Sequence, residues 1–148
     1  MFLSRLVYYS RSRIGRDPQT LQTEIDRILE SARLHNRPSK ITGALAFDRT
    51  WFVQVLEGGR EEITETLSRI LVDPRHEDLV LTEVTAISER AFRQWAMTFV
   101  DDSGLTQEIC TRFSISVPLN PPLMSTASLH GLVRALVETQ ARAGQIRT

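Results

Sequence analysis

The chain has 148 residues, 41% of them apolar, with 18 basic and 18 acidic side chains that cancel. That length suits one compact domain with a sizeable core. Zero net charge gives no electrostatic footprint for nucleic acid or an anionic membrane. No apolar run approaches the roughly 20 residues of a membrane span, and MFLSRLVYYS lacks the apolar length and cleavage site of a signal peptide. A single cysteine, Cys110, excludes an internal disulfide. His35, His76 and His130 have no metal-ligand spacing. The expectation is a soluble, cytoplasmic chain without a metal.

Leu3 to Tyr9 is short, apolar and tyrosine-bearing, and reads as a strand. A polar loop with Gly15 follows. Asp17 and Pro18 mark a helix start, because Asp caps and Pro tolerates the first helical position. Leu21, Ile25, Ile28, Leu29 and Ala32 then form one apolar stripe. The helix ends near His35 and Asn36, since Pro38 disfavours helical geometry at Arg37. Ile41 to Phe47 and Trp51 to Glu57 are strands joined by the tight turn Asp48, Arg49, Thr50. After Gly58 and Gly59, Ile63, Leu67, Ile70 and Leu71 stripe a second helix that stops at Asp73 and Pro74. Leu79 to Ile87 and Trp95 to Val100 are further strands.

The order β-α-β-β-α-β plus one strand is the ferredoxin-like α+β pattern, with the first and third strands central and both helices on one face. A C-terminal helical extension follows the expected 1–101 domain, over 102–148, as part of the same compact unit. It holds a short helix within Leu105 to Phe113 and a longer one over Ser125 to Ala141. The stripe from Leu129 to Val137 has two uses open to it, a sheet face or a dimer interface. A homodimer is the default assembly.

Fold alone does not give function, so polar residues among apolar ones carry the argument. Gln54 shares a strand face with Phe52 and Leu56. A buried amide needs partners or costs a few kcal/mol. Tyr8 shares parity with Leu6, and adjacent first and third strands would let its phenol meet Gln54. Each residue also has an ordinary structural reading. Gln54 suits a sheet end with a water nearby, and Tyr8 the core. Asn36 suits a helix terminus and Arg69 a solvated helix face, while Trp95 and Met97 suit core packing. No Ser–His–Asp pattern, phosphate-cradling loop or carboxylate pair is present. A phenol, an amide and a guanidinium hold a planar heterocycle by its edges and do not perform turnover chemistry.

Five stretches in order carry a resemblance: RLVYYSRS, ARLHNRPSKITGALAFD, WFVQVLEGGREEI, ILVDPRH and RAFRQWAMTFV. Together, from Leu3 to Val100, they closely resemble the BLUF family, sensors of blue light using FAD. The resemblance implies a flavin between the two helices, FAD with FMN as the alternative. It implies a photoactive Tyr8 and a switching Gln54, with Trp95 and Met97 carrying the signal on the last strand. The cofactor-binding set it implies is Tyr8, Ile28, His35, Asn36, Gln54, Arg69, Asp73 and Met97. It also places the Met97 strand beside the first strand. The family usually has Ser between that Trp and Met, and Ala96 removes this hydroxyl. The implied activity is photoreception and not turnover, with an unidentified effector protein as partner. The readings that compete are a flavin-dependent oxidoreductase, a cofactor-less interaction module and a small acylphosphatase-type hydrolase. Arg11 and Arg13 would suit the last, but no glycine-rich loop accompanies them.

Overall fold

Five strands form one mixed sheet in the order β4-β1-β3-β2-β5. The computed structural model describes residues 2–100 and 104–148. Its strands are β1 (Leu3–Ser12), β2 (Thr42–Phe47), β3 (Trp51–Gly59), β4 (His76–Ala86) and β5 (Trp95–Phe99). Its helices are α1 (Pro18–Asn36), α2 (Arg60–Leu71), α3 (Gln107–Phe113) and α4 (Thr126–Arg142), with a short 3-10 turn at Pro121–Leu123.

The local signals act as their chemistry requires. Asp17 caps α1 by accepting from the Thr20 amide, and Pro18 occupies the first turn. Asp48 accepts from the Thr50 and Trp51 amides at 2.7 Å, closing the β2–β3 hairpin. Gly43 sits at φ +140°, where a Cβ would lie 1.9 Å from the Val55 carbonyl oxygen, so only glycine permits the β2–β3 approach.

Alternation along the strands divides the core in two. Leu6, Tyr8, Leu45, Phe47, Phe52, Leu56, Trp95 and Met97 pack with α1 and α2 on one face. Val7, Ala44, Ala46, Val53 and Val55 pack on the other with Leu129, Leu132, Val133 and Leu136 of α4 and Ile109 of α3. The α4 stripe is therefore spent on the sheet and leaves a dimer no apolar face there. The expected boundary between residues 101 and 102 lies outside the described residues.

One expectation is corrected. The Met97 strand is not beside β1: β5 runs parallel to β2, with Trp95 opposite Gly43 and Met97 opposite Leu45. Both edges of β1 are already taken, by β3 and β4. No helix among the described residues is long and apolar enough to cross a membrane.

Candidate functional site

Antiparallel pairing places Tyr8 directly opposite Gln54. Both side chains point to the α1–α2 face, and the phenol donates to Gln54 Oε1 at 2.6 Å in a buried bond. The Tyr8 hydroxyl is pushed well above its ordinary value, first by burial and then by the negative Asp73 carboxylate. It therefore stays a protonated donor at any physiological pH. Gln54 Nε2 finds no partner among the described residues.

A cleft of about 730 Å³ of open space, part of it continuous with solvent, lies between α1, α2 and the sheet. Tyr8, Ile28, His35, Asn36, Gln54, Arg69, Asp73 and Trp95 all line it. Met97 does not, although it is buried in the same apolar cluster. Asn36 is buried at the end of α1 with no side-chain partner among the described residues. The indole Nε1 of Trp95 is likewise buried and unpartnered. A buried donor without a partner is rare, so the indole marks where a polar ligand edge belongs, and the Gln54 and Asn36 amides line the same open cleft.

The basic rim is more ordered than the sequence alone indicates. Asp73 and Arg75 form a largely buried fork, with Arg75 Nη2 at 2.6 Å from Asp73 Oδ2 and Nε at 2.9 Å from Oδ1. Burial alone would raise the Asp73 carboxyl. Hydrogen bonds from Arg75 and the charges of Arg75 and His76 outweigh it and hold the group below its ordinary value. Arg69 lines the cleft while reaching Glu65 and Thr66 at 3.4 Å. His35 Nδ1 bonds the Ser31 carbonyl at 2.9 Å, which turns the ring along α1.

Among the lining residues not assigned from sequence, Arg75 and His76 are the ionisable ones. His76 Nε2 lies 2.6 Å from the Ile70 carbonyl, which can only accept, so Nε2 carries a proton. Its Nδ1 meets the Ser10 hydroxyl at 2.7 Å. The ring thus ties β4 to α2 and β1, with Tyr8 and Phe52 on its flanks. Both residues stand in the ILVDPRH stretch, which was the available signal.

Residues 3–98 match the family described as BLUF, sensors of blue-light using FAD. The chain belongs to the BLUF family. As a BLUF domain it senses blue light with a bound flavin. A photoactivated adenylate cyclase subunit beta of Euglena longa is 31% identical over 106 residues, which are 71% of this chain and 11% of that protein. The blue light- and temperature-regulated antirepressor BluF of Escherichia coli (strain K12) is 32% identical over 99 residues, 67% of this chain and 24% of that one. This BLUF chain therefore spans a tenth to a quarter of those relatives. The solved dark-state structure of BlrB, a BLUF protein, superposes with a TM-score of 0.68 at 31% identity, covering 90% of this chain and 96% of that one. BlsA in its photo-activated state shares the fold, with a TM-score of 0.77 at 23% identity over 91% and 94% of the two chains.

The residues present fit a flavin. The cleft pairs apolar and aromatic side chains, among them Ile28, Leu45, Phe52 and Trp95, with amide, indole and guanidinium groups of the types that address carbonyls and ring nitrogens. Among the described residues no cluster could hold a metal.

Proposed function

We propose that light sensing in this chain runs through the Tyr8–Gln54 pair, with FAD as the chromophore held by Asn36, His35, Arg69, Asp73 and Ile28. Bound in this cleft, the flavin supplies blue-light absorption and, once excited, oxidising power toward a phenol. The observation that carries the reading is the 2.6 Å bond from the Tyr8 hydroxyl to Gln54 Oε1 on the wall of that cleft. Tyr8 holds its proton on the hydroxyl and delivers it along this bond. Gln54 has an acceptor end and a donor end, so it can take a proton at one and release one at the other. Rotation or tautomerisation exchanges those ends and alters the polarity facing the cleft. That lowers the excitation energy of a chromophore lying there without any bond to it. The altered amide then relaxes in the dark. Trp95 lines the cleft and Met97 lies two residues on, so β5 is the first element to register the change.

FAD is favoured by the family's description. A Klebsiella pneumoniae BlrP1 structure, 34% identical over 67% of this chain and 26% of that one, contains FMN and superposes with a TM-score of 0.57. Chromatography of the cofactor released on denaturation distinguishes the two. We also propose that the output is contact with a separate effector protein and that the chain acts in the cytoplasm, where its half-buried thiol, Cys110, stays reduced. The deciding experiment is an absorption spectrum of the purified protein in the dark and just after blue light. A flavin spectrum with a small, reversible red shift is expected. A flavin unmoved by light, or a protein that takes up none, overturns the reading.

A further inference from the structure

The sheet ends at β5, and the outer edge of β5 is thinly covered. Val100 donates to Phe47 on β2 and Gln94 accepts from Gly43, so Trp95, Met97 and Phe99 turn their backbone groups outward. Among the described residues, Arg147 and Gln140 meet them. The Met97 amide donates to the Arg147 carbonyl at 2.6 Å, and the Arg147 amide donates back at 3.2 Å, as one isolated bridge. The Phe99 carbonyl accepts from Gln140 Nε2 at 3.4 Å. The outward N–H and C=O of Trp95 have no partner among the described residues.

Beside this edge lies a second cleft, enclosing about 890 Å³ of open space and sharing Ala32, Asn36 and Trp95 with the first. Arg33, Arg37, Lys40, Arg90 and Arg93 line it, and no acidic side chain among the described residues does. In a chain of zero net charge that is a marked segregation. Arg37, Lys40 and Arg93 have no acidic partner among the described residues. What enters the cleft from this chain is Thr148, whose carbonyl oxygen accepts from Arg33 Nε at 2.9 Å. A second hold on the tail is the half-exposed Arg147–Asp26 pair at 3.3 Å. An extended backbone on the β5 edge with an acceptor among the arginines is thus already represented, in minimal form, by the tail itself.

We propose that the β5 edge and this basic cleft together dock an extended acidic segment of a partner protein, in competition with residues 145–148. The segment adds a strand, taking the backbone groups of Trp95 and Met97, and its carboxylates meet Arg33, Arg37, Lys40 and Arg93. Strand addition supplies affinity, and the charge sets the kind of partner. The occupant would lie against the backbone of Trp95, whose indole walls the flavin cleft. Light dependence of the docking rests on the photoreceptor reading; the docking itself does not.

The test uses the full chain with its flavin, in the dark, and a fluorescent peptide of alternating Glu and Val followed by anisotropy. Binding is expected to weaken with added salt. It should fall about tenfold or more in the double variant Arg37→Glu, Arg93→Glu. Arg147→Pro removes the N–H that bonds Met97 and loosens the tail, so it should bind the peptide more tightly. Absence of binding in both the wild type and Arg147→Pro would overturn the proposal, as would indifference to the double charge reversal. Displacement of the peptide by a lower concentration of single-stranded oligonucleotide would overturn it too, by assigning the cleft to nucleic acid. The light-induced shift is recorded for every variant, so that absence of docking in both the wild type and Arg147→Pro beside an intact shift counts against the docking site and not against the photoreceptor reading.

Discussion

Removing one oxygen atom from Tyr8 separates its chemical role from its packing role. Tyr8→Phe keeps the ring between His76 and the sheet but deletes the donor to Gln54 Oε1. The protein should retain flavin and fold, lose about 1 kcal/mol for the orphaned amide oxygen, and show no light-induced shift in difference spectra. Gln54→Leu should abolish the shift as well. A normal photocycle in either variant would sink the assigned pair. Because burial and Asp73 raise the Tyr8 hydroxyl, the folded state holds that proton more tightly than the unfolded chain does. Its contribution to stability is full below the ordinary phenol value near 10 and declines as pH rises beyond it. The amplitude of the shift should accordingly be flat between about pH 6 and 9. Asp73 has the opposite sign: its carboxyl is depressed, so its contribution is present at neutral pH and is lost as pH falls through the carboxylate range. Asp73→Asn should cost about 1 kcal/mol at pH 7, because a quarter of each side chain of the pair still meets water. It should also flatten the acid limb of a stability–pH profile from urea melts. At this scale the sequence was informative where parity sufficed. Tyr8 and Gln54 follow from strand alternation and a central β1–β3 pair. Arg75 and His76 did not follow, because their cleft-facing orientation depends on how the α2–β4 connection folds back onto Ser10 and Ile70.

The elements were legible in proportion to how local their signals are. Asp17 and Pro18, the Asp48 turn and the α2 stripe are short-range devices, and the corresponding boundaries agree within a few residues. β5 is the instructive exception. Its alternation identified a strand, but its neighbour depends on which sheet edge is free, and β1 has none left. Pairing with β2 ties β5 to β2 through backbone bonds, and the buried Thr98–Gln140 side-chain bond ties it to α4. Likewise, periodicity defined the α4 stripe but not what it covers. Leu132 is 1% exposed against the sheet face remote from the cleft. Leu132→Ala should therefore destabilise the protein by about 2–5 kcal/mol in urea titration, with the wavelength of the flavin shift unchanged. A shift altered as much as the stability would mean that the two faces are not separable.

Over the whole molecule, the sheet is a wall with a core on each side, and the two cores do different work. The α1–α2 side frames the cleft, while the α3–α4 side covers Val7, Val53 and Val55, all at most 1% exposed. Ending the chain after residue 101 uncovers that face. The truncated protein should bind a hydrophobic dye, elute as aggregates in gel filtration and lose a cooperative melt. A monomeric, cooperatively melting fragment would show residues 102–148 to be a separable appendage. The sequence by itself determined the element types, the ferredoxin-like order, the Tyr8–Gln54 juxtaposition and, through five ordered motifs, the family. Each of these rests on short-range periodicity or on residue types at fixed spacing. Only the tertiary structure decided the place of β5 beside β2, the burial of α4 against the sheet, the recruitment of Arg75 and His76 to the cleft and the basic cleft at the sheet edge. Those features join residues distant in sequence, and which surfaces meet is settled by the strand edges and apolar faces left free once the nearer contacts have formed.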